Sequence, residues 1–172
     1  IGVNAMQNST VTGNNVAIGF EALKNTNTLG NTSVGCKALT KAILAEANSA
    51  FGFLSLENLE TGLNNIAVGF FSGQGFKNGN NNTFLGTQSA LILENGERNV
   101  YVGARNKSSS SNVNNEIVIG SASTSLGINV GKGSNTAKIG NDAITQTHIY
   151  GDLYKNDVKM FDYITQAQYD AL

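Results

Sequence analysis

The chain has 172 residues, a formal net charge of −1 and few charged residues (13%), with 20 Gly and neither Pro nor Trp. A chain so close to neutral lacks the basic patches of nucleic-acid-binding proteins, so we expect no nucleic-acid partner. It contains no run of 18 apolar residues, and we expect no direct insertion of this chain into a membrane. The length fits one ordinary domain, but the composition is not typical of a globular enzyme.

One short sequence motif recurs along the first two thirds of the chain: an Asn, three small or apolar residues and a Gly. Complete copies run from Asn15-Val16-Ala17-Ile18-Gly19 to Glu116-Ile117-Val118-Ile119-Gly120, where Glu replaces the Asn. The chain opens inside such a copy, at Ile1-Gly2, so we expect it to be part of a longer polypeptide. The glycines are Gly2, Gly19, Gly35, Gly52, Gly69, Gly86, Gly103 and Gly120, spaced by 17 residues with one step of 16. Such regular spacing indicates a repeat architecture.

Apolar residues alternate along each repeat, which is the pattern of a β-strand. In the first complete copy, Val16, Ile18 and Phe20 alternate with Ala17 and Gly19. The position before each Gly is always apolar, and we predict that it points into the solenoid. The predicted core is Ile18, Val34, Phe51, Val68, Leu85, Val102 and Ile119.

The opposite side of these strands is also apolar, with Ala17, Ala50 and Ala67 at one position. A strand with two apolar faces must be covered on both of them. We therefore predict that these alanines contact other copies of the chain. Cys36 is the single cysteine and occupies the position of Phe20, Phe53 and Phe70 in other repeats, so it is interpreted as a small buried hydrophobic residue.

The Asn at the start of each motif predicts a column of Asn side chains stacked from coil to coil. Identical amides stacked at the strand spacing of about 4.8 Å can bond to the coils above and below. The predicted ladder is Asn15, Asn31, Asn48, Asn65, Asn82 and Asn99. A short amphipathic helix over 36–47 is an open alternative within this region.

The register changes after Gly120, since Gly131, Gly140 and Gly151 follow at shorter intervals. We predict three parts: a repetitive β-solenoid over 1–120, a non-solenoid β module over 121–160 that caps or tips it, and a helix start or linker over 161–172. The helix is suggested by Thr165-Gln166-Ala167-Gln168, which fits a capping box. The fold class is thus all-β, with about seven coils of 17 residues.

The repeats resemble the YadA-like heads of trimeric autotransporter adhesins and the related trimeric fibres of phages, large viruses and predatory bacteria. The resemblance is carried by Asn15 to Gly19 followed by Ala22, and by Asn65 to Gly69 followed by Ser72. It implies a parallel left-handed β-roll, a homotrimer, and exposure on a cell surface or virion for attachment. The adhesin heads repeat at a shorter spacing, and the neck and anchor of an autotransporter are not visible. The last residues, 164–172, look like segments of phage tail proteins, which favours a fibre.

Catalytic chemistry is poorly supported. His148 is the only histidine, and no Gly-x-Ser-x-Gly elbow accompanies it. A hexapeptide-repeat acyltransferase needs an aliphatic residue every sixth position, but Ile18 is followed at that spacing by Lys24 and Gly30. Threonines do not stack in one column, which disfavours ice binding. We expect no enzyme activity, no metal site and no cofactor.

The predicted function is therefore a non-enzymatic trimeric fibre or adhesin that attaches to a glycan or protein receptor on a host or prey surface. The candidate ligand-binding residues are His148, Tyr150 and Tyr154, whose aromatic rings could stack on sugars. The alternative is a pure spacer or trimerisation module of a tail fibre, with the binding tip elsewhere. A viral and a bacterial source both fit these residues.

Overall fold

The structure is a computed structural model that describes residues 1–10, 13–122, 127–141 and 143, and the strand residues 154–155 and 158–159. The described chain is all-β. Its strands are β1 (Val16–Ile18), β2 (Thr32–Val34), β3 (Leu44–Glu46), β4 (Ser49–Phe51), β5 (Thr61–Leu63), β6 (Ile66–Val68), β7 (Thr83–Leu85), β8 (Val100–Val102), β9 (Asn106–Lys107), β10 (Ile117–Ile119), β11 (Asn129–Val130), β12 (Ala137–Ile139), β13 (Tyr154–Lys155) and β14 (Val158–Lys159).

The repeats stack as a parallel β-solenoid of about seven turns. One sheet of eight strands has the order β1-β2-β4-β6-β7-β8-β10-β12, and every pairing in it is parallel. Equivalent residues of successive repeats pair directly, for example Ala50 with Ala67 and Ala67 with Phe84. Seven steps of about 4.8 Å give a stack on the order of 35 Å tall. The predicted β-solenoid is confirmed.

Along the chain path, one open alternative is excluded and the main sheet is longer than predicted. The described part of the chain contains no helix, and residues 36–47 form turns followed by β3, which pairs with β5 in a parallel ladder. The main sheet also continues past Gly120, because β12 pairs with β10 in the same parallel register. The coil that leads to β12 is longer, with Ile117 opposite Ala137. The possible helix over 161–172 lies outside the described residues.

The predicted core is wrong in its orientation. The residues before the glycines point outward: Ile18, Phe51, Val68, Leu85 and Ile119 are 36–45% exposed, and Val34 and Val102 are half-buried. The central strand residues point inward instead, and Ala17, Ala50 and Ala67 belong to the buried core. These alanines therefore cannot be the contacts to other copies. Cys36 likewise lies half-buried on the outward side.

The turn after each strand explains this reversal. Two adjacent residues, Ser55 and Leu56, are both fully buried, which no regular strand allows because its side chains alternate. Positive φ angles at Gly52, Leu54 and Leu56 break the alternation. The turn thus brings a large leucine into a narrow coil, and only a small residue such as Ala50 fits opposite it.

The recurring glycine is required by the stacking itself. Gly69 has a φ of 136°, and a Cβ built there would lie 2.5 Å from the carbonyl oxygen of Gly86 in the next coil. Any other residue would combine a strained backbone with a collision against a backbone atom. The 17-residue spacing of these glycines therefore marks a line along which the backbones of consecutive coils leave no room for a side chain.

Two positions of the coil exchange core volume: where one holds a large side chain, the other holds a small one. The leucine position holds Leu56 in one coil and Gly73 in the next, and the space above Gly73 is filled by Phe84, whose ring atom Cδ2 lies 2.6 Å from where a Gly73 Cβ would be. Phe84 and Phe76 are fully buried and pack edge to face, with ring centroids 5.2 Å apart. A large residue at the centre of the strand is thus accommodated by a glycine in the neighbouring turn.

This exchange predicts a strong coupling between two substitutions. Phe84→Ala is expected to lower the free energy of unfolding by about 3 kcal/mol or more by leaving a cavity. Gly73→Leu alone is expected to cost about 1–3 kcal/mol through overpacking. The double variant should lose clearly less than the sum, because Leu at 73 occupies the space that the ring vacates. Urea unfolding of the four proteins at one concentration measures the coupling, and additive losses would contradict the exchange.

Candidate interaction surfaces

The outward side of the main sheet is a continuous apolar surface, here called the apolar face. Its side chains flank the buried strand centres or follow the glycines, and all are at least 36% exposed. A single solenoid core cannot use them, since the coil interior is already filled. Contiguous exposed surfaces of this kind mark interaction sites. The apolar face consists of Val16, Ile18, Phe20, Phe51, Phe53, Ile66, Val68, Phe70, Leu85, Ile119 and Ile139.

An aromatic cluster lies in the middle of the apolar face. The rings of Phe53 and Phe70 stack with centroids 5.4 Å apart, and Phe71 packs edge-on against both, at 5.5 and 4.2 Å. Phe53 and Phe70 remain more than 40% exposed. Aromatic residues with this much exposed ring area are the usual anchors of protein interfaces.

The asparagine column forms a continuous hydrogen-bonded ladder inside the solenoid. Each Oδ1 accepts the backbone N–H of the next column member, at 2.8–3.0 Å. From Asn48 upward, each Nδ2 also donates to the preceding Oδ1, at 2.9–3.2 Å. Asn15 at the end is half-buried, while the other five are fully buried. The amides therefore satisfy one another in a dry interior.

The same amides also tie the two sides of each coil together. A second bond from Nδ2 crosses the coil to a backbone carbonyl on the return side, at 2.7–3.0 Å. This contact is repeated in six successive coils, so the ladder fixes both the stacking and the coil width. The pairs are Asn15 with Thr28, Asn31 with Ala45, Asn48 with Gly62, Asn65 with Gly79, Asn82 with Gly96 and Asn99 with Val113.

Glu116 takes the seventh position of the ladder and is fully buried. Its N–H donates to Asn99 Oδ1 at 2.8 Å, and its Oε1 accepts the N–H of Gly133 at 2.6 Å. The hydroxyl of Tyr101 donates to its Oε2. A carboxylate only accepts hydrogen bonds, so donors replace the carbonyl that faces the amide in other coils. Sequence reasoning noted the Glu but missed this pairing with a central strand residue.

Tyr101 is expected to make stability fall at alkaline pH. Burial, and then its bond to the Glu116 carboxylate, raise the pKa of Tyr101 well above its ordinary value of 10.0. In the unfolded chain the phenol ionises near pH 10, so the unfolded state binds fewer protons and stability falls as the pH rises further. The contribution of Tyr101 to the free energy of unfolding is fully present below about pH 10. Above that pH it decreases by about 1.4 kcal/mol per pH unit.

Tyr101→Phe provides the test, since it removes the titrating group. The variant should lose about 1–3 kcal/mol at neutral pH, because Oε2 of the buried Glu116 loses its hydrogen-bond donor. The difference in the free energy of unfolding between the two proteins should then become smaller as the pH rises above about 10. Urea unfolding across this pH range measures both effects, and parallel pH profiles would contradict the assignment.

A shallow groove, here called the polar groove, runs along the return side of the coils and has a volume of about 800 Å³. One row of side chains starts with Thr61 Oγ1, which donates to Asn78 Oδ1 at 2.7 Å. Asn78 Nδ2 in turn donates to Asn95 Oδ1 at 2.8 Å. In a second row, Asn80 Nδ2 donates to Glu97 Oε1 at 3.1 Å. The groove is lined by Leu44, Thr61, Gly62, Leu63, Asn78, Gly79, Asn80, Gly96, Glu97 and Asn114.

The floor of the polar groove is open because glycines recur there. Gly79 has a φ of 147°, and a Cβ at this residue would meet the carbonyl oxygen of Gly96 in the next coil. Gly62 and Gly96 are in the same situation, so close stacking excludes side chains from the floor. The sequence carries a signal for this groove, since Asn78, Asn95 and Asn112 recur at 17-residue intervals.

No known protein family, curated protein or solved structure matches the chain.

The remaining candidate residues belong to the C-terminal part of the chain. His148 and Tyr150 lie outside the described residues, and of Tyr154 only the backbone is described. Within the described part of the chain, no three His, Cys, Asp or Glu side chains are close enough to hold a metal ion. No helix among the described residues is long and apolar enough to cross a membrane.

Proposed function

We propose that the chain is a non-enzymatic segment of a homotrimeric surface fibre or adhesin. In this role it is exposed on a cell surface or virion and mediates attachment to a glycan or protein receptor on a host or prey surface. The observation that carries the proposal is the apolar face, which remains exposed although the solenoid core is complete. This face requires a partner, and its regularity indicates which partner fits.

The partner that fits the apolar face is another copy of the chain. The face repeats at the coil rise of about 4.8 Å over the whole stack. An identical stack presents the same spacing, so side chains of both copies can interlock along the full height. A globular partner of another sequence would match only a few repeats. Interlocking copies would also bury the ring edges of Phe53 and Phe70, which are exposed in one chain.

Three copies and a left-handed coil are supported by the resemblance to YadA-like heads. Trimerisation suits the proposed task, because weak contacts repeated in three chains give a high overall avidity. The buried ladder suits it as well, since a stack held together by amide bonds in every coil is a stiff display rod. The same stiffness favours a second candidate function, a spacer that holds a binding tip located elsewhere.

The mass of the protein in solution tests the proposal. Sedimentation equilibrium of the full chain should give the mass of three chains of 18.0 kDa. A monomer that stays soluble at micromolar concentration would overturn the assembly. Binding of the trimer to glycan arrays and to intact cells separates the two functions: binding to either supports an adhesin, and binding to neither supports the spacer.

A further inference from the structure

We propose that the polar groove binds an uncharged oligosaccharide that lies along the stack of coils. This inference rests on the proposed attachment function and names the class of ligand and its place on the fold. The groove lies on the return side of the coils, and none of its lining residues belongs to the apolar face. Assembly through the apolar face therefore does not require the groove.

The side chains of the groove retain hydrogen-bonding capacity for a ligand. Asn78 and Asn80 each use one N–H of the amide within the rows, and among the described residues the other N–H has no protein partner. The rows hold both amides in fixed orientations, so little rotamer entropy remains to be lost on binding. Sugar hydroxyls both donate and accept, which matches amides that offer a donor beside an acceptor.

The spacing of these groups favours a chain-like ligand. The polar positions recur once per coil, at a rise of about 4.8 Å, so successive sugar rings can contact the polar side chains of successive coils. Two exposed leucines, Leu44 and Leu63, lie in the groove and offer apolar surface to the C–H face of a ring. A ligand with polar edges and apolar ring faces fits both features.

The charge of the groove selects against other ligands. Its one ionisable lining residue is Glu97, with the mostly exposed guanidinium of Arg98 at 3.3 Å from Oε2. Because Arg98 is paired with this carboxylate, the groove has no net positive charge to attract acidic sugars or nucleic-acid phosphates. An extended peptide could bind by adding a strand, but the floor offers no free edge: the N–H groups of Gly79 and Gly96 donate to Thr61 and Asn78. A neutral glycan is the class that remains.

An NMR titration of the ¹⁵N-labelled chain of 172 residues tests the groove directly. The probes are neutral tetrasaccharides of glucose, mannose and N-acetylglucosamine, with sialyllactose as an acidic probe and an uncharged peptide as a third class. At least one neutral tetrasaccharide should shift the side-chain amide signals of Asn78 and Asn80 to saturation. A shift of these amides only by sialyllactose or by the peptide would overturn the proposal. Neutral sugars that leave both amides unchanged at millimolar concentration would overturn it too.

Two variants sharpen the test. Asn80→Leu should weaken neutral-sugar binding at least about tenfold, which corresponds to about 1.4 kcal/mol. Asn25→Leu is the matched control, because Asn25 is equally half-buried and also makes two side-chain amide contacts, to Asn8 and Thr40, outside the groove. Equal weakening by both variants would overturn the site. Glu97→Gln should admit sialyllactose, which tests the charge preference of the groove even if Asn80→Leu fails to fold.

The outcome is separable from that of the proposed assembly, because one chain contains the whole groove. A monomer whose Asn78 and Asn80 amides respond to neutral sugars would overturn the trimer and support the groove. A trimer whose amides do not respond would overturn the groove alone.

Discussion

Asn65→Asp is expected to lower the free energy of unfolding by about 3–5 kcal/mol, a large share of the stability of a typical domain. Asn65 is fully buried, and its Nδ2 donates to Asn48 Oδ1 at 2.9 Å and to the Gly79 carbonyl at 2.8 Å. Aspartate has the same shape but no N–H, so a charged carboxylate would face two oxygens in a dry interior. The bond that its oxygen accepts from the Asn82 N–H can persist, which isolates the effect of the lost donors.

The pH dependence of this variant follows from the same geometry. The folded state raises the pKa of the introduced carboxyl above the unfolded value of about 3.9, because its charged form is unfavourable there. The protonated acid regains one donor, so the loss of stability should be smallest near or below pH 4 and grow as the pH rises. Urea unfolding at several pH values, at fixed protein concentration, measures this trend.

Asn15→Asp is the matched control at the end of the ladder. Asn15 is half-buried, and its Nδ2 makes a single bond, to the Thr28 carbonyl at 2.7 Å. The expected loss is about 1–2 kcal/mol, since water can solvate the carboxylate. Equal losses at the two positions would show that the ladder contributes by local contacts alone and not through its buried continuity.

The sequence allowed the solenoid and the asparagine column to be predicted for the same physical reason. In a parallel stack, equivalent residues of consecutive repeats lie directly above one another, so a period in the sequence becomes a column in space. Asn48, Asn65 and Asn82 could be placed together from their spacing alone. A β module was expected after Gly120, but the pairing of β12 with the main sheet was not, because the coil that leads to β12 is longer than 17 residues.

The inward and outward sides could not be assigned from the pattern, because both sides of the strands are apolar. The decisive quantity is the volume inside the coil, which depends on the turn with positive φ angles at Leu54 and Leu56. Phe84 shows the same effect, since this large central residue requires the glycine Gly73 in the adjacent turn. The polar groove was missed because its rows are joined by contacts between coils, which become apparent only once the return side is placed.

Val68→Asp is expected to dissociate the proposed trimer into folded single chains. Val68 is 36% exposed in one chain and lies between Phe51 and Leu85 in the apolar face, so the change has little effect on the core of a coil. In an assembly of three copies, three carboxylates would be placed in an apolar interface, and each costs several kcal/mol to desolvate. Even about 4 kcal/mol lowers the association constant a thousandfold.

Ile43→Asp is the control for this experiment, because Ile43 is 48% exposed but lies outside the apolar face. Sedimentation equilibrium should give the mass of one 18.0-kDa chain for Val68→Asp and of three for the control. The unfolding midpoint of the control should rise with protein concentration, whereas that of Val68→Asp should not, since only assembly couples stability to concentration. A trimer that persists in Val68→Asp would show that the copies meet through another surface, and the exposed phenylalanines would then need a different partner.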